Sequence, residues 1–270
     1  VLRRFVDFGA PESILTLAKP HVGTDILLGI VDRVLARVCE LGGKVMYRTR
    51  FCGVKRRDNR VFSVITDKGE IPAGALIMAI GHSSRDTYEM LIKDGFPIEA
   101  KPFSVGMRIE HPTELIDRAM YGKYAGHPAL GHAEYALSHN TKVRGVYTFC
   151  MCPGGEVIAA TSEQGAVVTN GMSYHARSGK NSNSAVVCSV FREDYGGTPT
   201  GAIEFQRKIE RVAFSAGGGD YSAPVITVGD FLSGSAPVHE SGTVRPTYMN
   251  GGVRYASPEK YLPEFVTGGI

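Results

Sequence analysis

Apolar positions at Ile26, Leu27, Ile30, Val31, Val34, Leu35 and Val38 recur at helical spacing. They predict an amphipathic helix over residues 24–40, with Thr24 as its N-cap and Gly42-Gly43 as its stop. Residues 44–48 read as a short strand. Residues 51–55 and 61–66 flank a charged tip at Asp58-Asn59 and read as a hairpin, and Gly69, Glu70 and Ile71 read as a third strand. Residues 75–80 (ALIMAI) are apolar without alternation and end at Gly81. That is the pattern of a strand buried on both faces. Ser83 or Ser84 then caps a helix running through Leu91, with Asp86 in its first turn.

Beyond Pro97 the texture changes. Strand-like runs at 103–109, 144–150, 157–160 and 185–190 alternate with loops rich in Gly, Ser and His. One further helix is predicted at 202–214. The first six residues suit either helix or strand. The pattern predicts a mixed α/β fold of the α+β kind, with a first unit at 1–100 and a strand-rich second unit at 101–270.

Composition narrows the function classes. The chain has 270 residues and a net charge of +3, too small an excess to imply a nucleic-acid or anionic-membrane partner. No apolar run approaches the ~20 residues of a membrane span. Five cysteines, Cys39, Cys52, Cys150, Cys152 and Cys188, have no disulfide spacing, so a reducing, cytoplasmic setting is expected. The chain opens on Val1 without a leader pattern and stops at Gly268-Gly269-Ile270. Both ends read as cut, and a fragment of a longer protein is expected.

Several places are candidates for chemistry. A buried strand entering a helix through Ala79, Ile80, Gly81 and His82 is where α/β sheets bind cofactors, although a plain tight turn explains the pattern equally. The C-x-C at Cys150 and Cys152 supplies two thiols, too few for a structural zinc site. It reads as a redox pair or, more simply, as buried cysteines closing a strand. The glycines after Pro153, Gly154 and Gly155, allow a close backbone approach. His82 is the best placed histidine, ahead of His21 and His111. His127, His132 and His139 have no metal-ligand spacing, and no metal is expected. Arg85, Arg108, Arg144 and Arg177 are candidate anion binders, with Arg177 preferred. Asn170, Ser173, Asn181 and Asn183 offer polar groups, as turn residues also do. No G-x-S-x-G elbow is present.

A set of longer motifs carries a resemblance. FGAP (8–11) and KPHVGTD (19–25) are followed by AIGHSSRDT (79–87), KPFSVG (101–106) and RIEHP (108–112). FCMCPGG (149–155), VTNGMS (168–173), NSNSA (181–185), VGDFL (228–232) and YLP (261–263) continue the series. These blocks, with the three-stranded meander, resemble FAD-dependent dehydrogenases of the two-dinucleotide-binding-domain class, the NAD(P)/FAD-dependent oxidoreductases. The resemblance implies a partial, Rossmann-like FAD-binding domain at 1–100, whose meander is a crossover, and a substrate domain at 101–270, truncated at its C-terminus. It implies FAD as cofactor and hydride transfer to or from a small-molecule substrate, with NAD(P)H as a further partner. Phe51, Ala79, Ile80, Gly81, His82, Pro153, Gly154, Gly155, Asn170, Gly171, Met172 and Ser173 would line the cofactor. Arg177 and Asn181 would meet the substrate.

The family's G-x-G-x-x-G, which seats a pyrophosphate on a helix N-terminus, is absent, and so is its late glycine-rich flavin segment. Gly217-Gly218-Gly219 follows a helix and does not replace the first. The central part of a flavoprotein is therefore expected. A non-catalytic binding module derived from one is the alternative.

Overall fold

The computed structural model describes residues 1–58, 60–237 and 244–270. Its helices and largely antiparallel strands form an α+β architecture. The N-terminal part holds α1 (Leu2–Asp7) and α2 (Thr24–Glu40), then the meander β1 (Phe51–Arg57), β2 (Arg60–Thr66) and β3 (Gly69–Pro72), and then α3 (Arg85–Lys93). The hairpin forms as the alternation predicts, with Val54 opposite Val64 and Lys55 opposite Ser63. Asn59, placed at its tip from the sequence, lies outside the described residues.

The main sheet contains β4 (Phe103–Pro112), β5 (Ser138–Asn140), β6 (Gly145–Cys152) and β9 (Asn181–Val190), in the order β4-β9-β6-β5. All its pairings are antiparallel. Helix α4 (Thr113–Tyr121) follows β4 directly. A separate hairpin pairs β7 (Glu156–Ala159) with β8 (Thr169–Met172). Helix α5 (Pro199–Ala216) is capped by Thr198, whose side chain accepts from the Gly201 amide. Strand β10 (Ala223–Val225) runs parallel to β11 (Val253–Tyr255), with α6 (Val228–Ser233) between them, and α7 (Glu264–Thr267) lies near the C-terminus.

The larger core joins Val146, Val157, Cys188, Ala213 and Val266 across the main sheet, hairpin and helices. A small second cluster, Ala10, Ile14 and Ile30, sits under α2. Part of α2's apolar stripe is outside any core: Leu27 is 41% exposed and Val31 47%.

Three local expectations are corrected. Residues 44–48 form turns and irregular chain, not a strand. Residues 75–80 form no ladder, and Ile77 is 91% exposed. A strand's stability lies in its neighbours, and among the described residues none pairs with either segment. Thr24 is the first helical residue of α2, not its cap; Gly23 holds the cap position without a side-chain bond. Conversely, the Asn- and Ser-rich 181–184 stretch is not a loop. It is the fully buried start of β9.

Candidate functional site

Register along β4 and β9 sorts their side chains to two faces. Arg108 and Glu110 share one face with Asn183 and Ala185, while Ile109 and His111 share the other with Ser182 and Ser184. On the first face, β6 carries a bulge. Phe149 pairs with Ala185 and Cys152 with Asn183, so three steps on β6 match two on β9. Cys150 absorbs the extra residue at φ 49°, a left-handed conformation that side chains other than Gly avoid. The bulge turns its carbonyl onto Arg108, whose Nη2 donates to it at 2.9 Å. Arg108 also donates from Nε and Nη2 to Oδ1 of Asn183, at 2.9 and 2.5 Å.

Gly171, on β8, sits against this cluster. A Cβ there would lie 2.1 Å from Nη2 of Arg108 and 2.3 Å from Oδ1 of Asn183. Gly154 sits beyond the bulge with φ +54°, and a Cβ there would lie 1.7 Å from the carbonyl oxygen of Arg177. Its amide donates to Oγ of Ser182 at 3.1 Å, and its carbonyl accepts from the Gly179 amide at 3.0 Å. Oγ of Ser173 donates to the Pro153 carbonyl at 3.0 Å. The glycines do give a close backbone approach, and in this structure the backbone approached is the chain's own.

Gly155 abuts the Met172 carbonyl and the Ser173 hydroxyl, so Pro153, Gly154, Gly155, Met172, Ser173 and Arg177 pack together beyond the bulge, while Gly171 packs on Arg108. Asn170 beside them is exposed, and its Oδ1 accepts from the Gly171 amide. The amide of Asn181 donates to Glu110 and to the Arg245 carbonyl. The N-terminal part docks here too. The Thr24 amide donates to the Ser173 carbonyl, and the His175 amide donates to Oδ1 of Asp25 at 2.9 Å. That bond is the main reason the Asp25 carboxyl is held below its ordinary range. His21 and His175 stack with ring centroids 6.2 Å apart.

Phe51 and residues 79–82 make local contacts instead. Phe51 pairs with Thr66 in the meander. The carbonyls of Ile80 and Gly81 accept from Ser84 and Tyr88, and His82 is exposed.

The four candidate arginines separate on their partners. Arg85 is 3% exposed and bonded to Glu163 and Glu210. Arg144 pairs with both oxygens of Asp194 at 2.7 Å. Arg177 pairs with Glu134 at 2.8 Å. Among the described residues, Arg108 alone of the four has no carboxylate partner. Residue type could not separate them; the ion pairs do.

All five cysteines are free. Cys150 is exposed, which corrects the expectation that both members of the C-x-C are buried. Burial raises the Cys152 thiol pKa, and the nearby Arg108 charge opposes that only in part. A raised pKa disfavours the thiolate that redox exchange needs. His132 and the Ala133 amide both bond Asp117, tying the following loop to α4. Among the described residues, no three His, Cys, Asp or Glu side chains group to hold a metal, and no helix is long and apolar enough to cross a membrane.

Sequence reading missed one further arrangement, a Tyr135–His111 pair at 2.8 Å. Tyr135 lies in irregular chain outside every motif, so no local signal marked it.

Comparison with known proteins places these features in a family. An uncharacterized protein of Clostridium beijerinckii is 44% identical over 273 residues, covering all of this chain. The chain spans 51% of that relative's length. The family described as FAD-dependent protein, C-terminal domain-like matches residues 102–270, and the chain belongs to it.

Proposed function

We propose that this chain is the substrate-side part of an FAD-dependent oxidoreductase that moves a hydride between the flavin and a small-molecule substrate, with NAD(P)H as the second redox partner. The observation that carries this reading is Arg108, a half-buried guanidinium without a carboxylate, held by Asn183 and the Cys150 carbonyl beside Gly171. An uncompensated cation in a partly desolvated place attracts negative charge.

The donor set suits one end of the cofactor. Arg108 and the side-chain NH2 of the exposed Asn170 match the polar edge of a ring system. The sequence has no G-x-G-x-x-G to seat a pyrophosphate at a helix N-terminus. FAD, when bound, supplies the hydride-transferring ring. The chain's part is to orient and to stabilise. Asn183 and the bulge fix the plane of the Arg108 fork, Gly171 leaves space beside it, and Arg108 faces charge that develops at the site. The loop at 173–175 ties this face to the start of α2.

Residues 75–80 support the same reading. Their composition is that of a strand buried on both faces, yet they are unpaired and largely exposed. We assign them, with the exposed stripe of α2, to a sheet completed by polypeptide of the kind the longer relative carries.

The test is a visible absorption spectrum of this chain and of the full-length Clostridium beijerinckii relative, each mixed with FAD and desalted. Flavin bands retained by the relative, with or without this chain, support the proposal. Bands retained by neither overturn it and leave a binding module.

A further inference from the structure

The face of the main sheet opposite Arg108 holds a second candidate site. A cavity of about 520 Å³ opens between α4 and the strands, lined by Ile109, Ile116, Ala119, Val186, His111 and Tyr135 among others. Its volume lies in the range of small-molecule pockets. Its lining contains no Asp, Glu, Lys or Arg, and His139, which also lines it, is exposed to solvent, so the inner part of the cavity offers a charged ligand no carboxylate, ammonium or guanidinium partner.

Of its polar side chains, Ser138 and His139 are exposed, Tyr147 is bonded to Ser104 and Thr148 to Leu137, which leaves the Tyr135–His111 pair as the inner polar feature. The Tyr135 hydroxyl lies 2.8 Å from Nε2 of His111, and the rings are tilted with centroids 5.5 Å apart. His111 is 9% exposed, and its Nδ1 is buried with no partner in the described structure. The pair is therefore one hydrogen bond short whichever tautomer His111 adopts. If Nε2 carries the proton, the Tyr135 O–H is released to donate, and a ligand competes for it with the neighbouring Ser184 hydroxyl. If Nδ1 carries it, Tyr135 donates to His111 and still accepts. Burial lowers the His111 pKa and raises that of Tyr135, so both are neutral near pH 7.

We propose that this cavity binds an uncharged, largely apolar small molecule through a single hydroxyl or carbonyl group presented to the Tyr135–His111 pair. The apolar walls contribute affinity through area removed from water. The pair supplies orientation and rejects analogues that lack the polar group. The proposal does not rest on flavin binding, because its lining belongs to the strands, α4 and the loop that Asp117 pins.

The probes are naphthalene, 1-naphthol and 1-naphthoate, titrated into the chain at pH 7 and followed by their fluorescence. The expected order is 1-naphthol tightest and 1-naphthoate at least about tenfold weaker. Tyr135→Phe should weaken 1-naphthol about fivefold and leave naphthalene unchanged, as for loss of one hydrogen bond. Ala119→Trp adds bulk from an exposed helix position and should weaken both about tenfold or more. If Ala119→Trp melts early, Met120→Lys, at a site 54% exposed, places a charge at the same cleft with the same expected loss. Absence of binding, 1-naphthoate binding as tightly as 1-naphthol, or affinities unmoved by these variants would each overturn the proposal.

Discussion

Arg108 and Asn183 are joined by two hydrogen bonds to a single side-chain oxygen, at 2.9 and 2.5 Å. Asn183 is fully buried, and its Nδ2 has no partner. The amide therefore holds the guanidinium without neutralising it, and leaves a donor unsatisfied. Asn183→Asp replaces that donor with an acceptor and gives Arg108 a counter-charge. The melting temperature should rise, since a buried unpaired donor costs about 1–3 kcal/mol. Flavin retention by the same substitution in a full-length protein should fall about tenfold or more. Calorimetry and desalting spectra separate the two effects. A variant that retains flavin as before removes Arg108 from the binding reading.

Gly154 and Gly81 make a matched pair for the backbone. Both have positive φ, but a Cβ at Gly154 strikes the Arg177 carbonyl, whereas one at Gly81 meets nothing within 4 Å. Gly81→Ala should cost about 1–2 kcal/mol, the left-handed penalty alone. Gly154→Ala should cost about 3 kcal/mol or more, because two backbones must separate. Urea midpoints measure both. Equal shifts would mean that the 153–155 and 173–179 loops are not pressed together.

Arg85 ties α3 to α5. Its guanidinium meets Glu210 at 2.8 and 2.5 Å and Glu163 at 3.1 Å. Arg85→Met should destabilise by about 3–5 kcal/mol, since it strands a mostly buried Glu210 carboxylate. Adding Glu210→Met should recover much of that loss. A double variant as unstable as the single one would show that packing, not charge, makes the joint.

Arg144 predicts an acid limb. Its hydrogen bonds hold the Asp194 carboxyl below its ordinary value of 3.8. A depressed folded pKa contributes stability that is present above that ordinary value and is lost as pH falls through the folded one. Stability should therefore drop below about pH 4, and Asp194→Asn should flatten that part of the curve while lowering the plateau. An unchanged acid limb in the variant would assign it to other carboxylates, Glu163 foremost, which Arg207 holds low in the same way.

Elements built on short-range periodicity were legible in the chain. The apolar stripe of α2, the hairpin of β1 and β2, and the body of α5 all depend on residues within a few positions of one another. The close backbone approach expected of Gly154 was legible for the same reason, because Gly is readable as such a place. What approaches was not readable. The oxygen facing Gly154 belongs to Arg177, and the group facing Gly171 belongs to Arg108.

Long-range pairing decided the rest. Residues 75–80 read as a strand by composition, but a ladder needs a neighbour, and among the described residues none pairs with them. Arg108 and Arg177 are the same residue type in similar settings. Glu134, 43 positions from Arg177, neutralises one of them, and among the described residues no carboxylate reaches the other. Tyr135 and His111 meet only because α4 and its loop fold back over the sheet. Sequence by itself determined the longer periodic elements, α2, α3 and α5 and the β1–β2 hairpin, and one place, at Gly154, where backbone comes close, since those follow from local sterics and the side-chain period. Tertiary structure alone decided which charges stay uncompensated and which polar atoms stay unpartnered, because both depend on what the fold brings within a few ångströms.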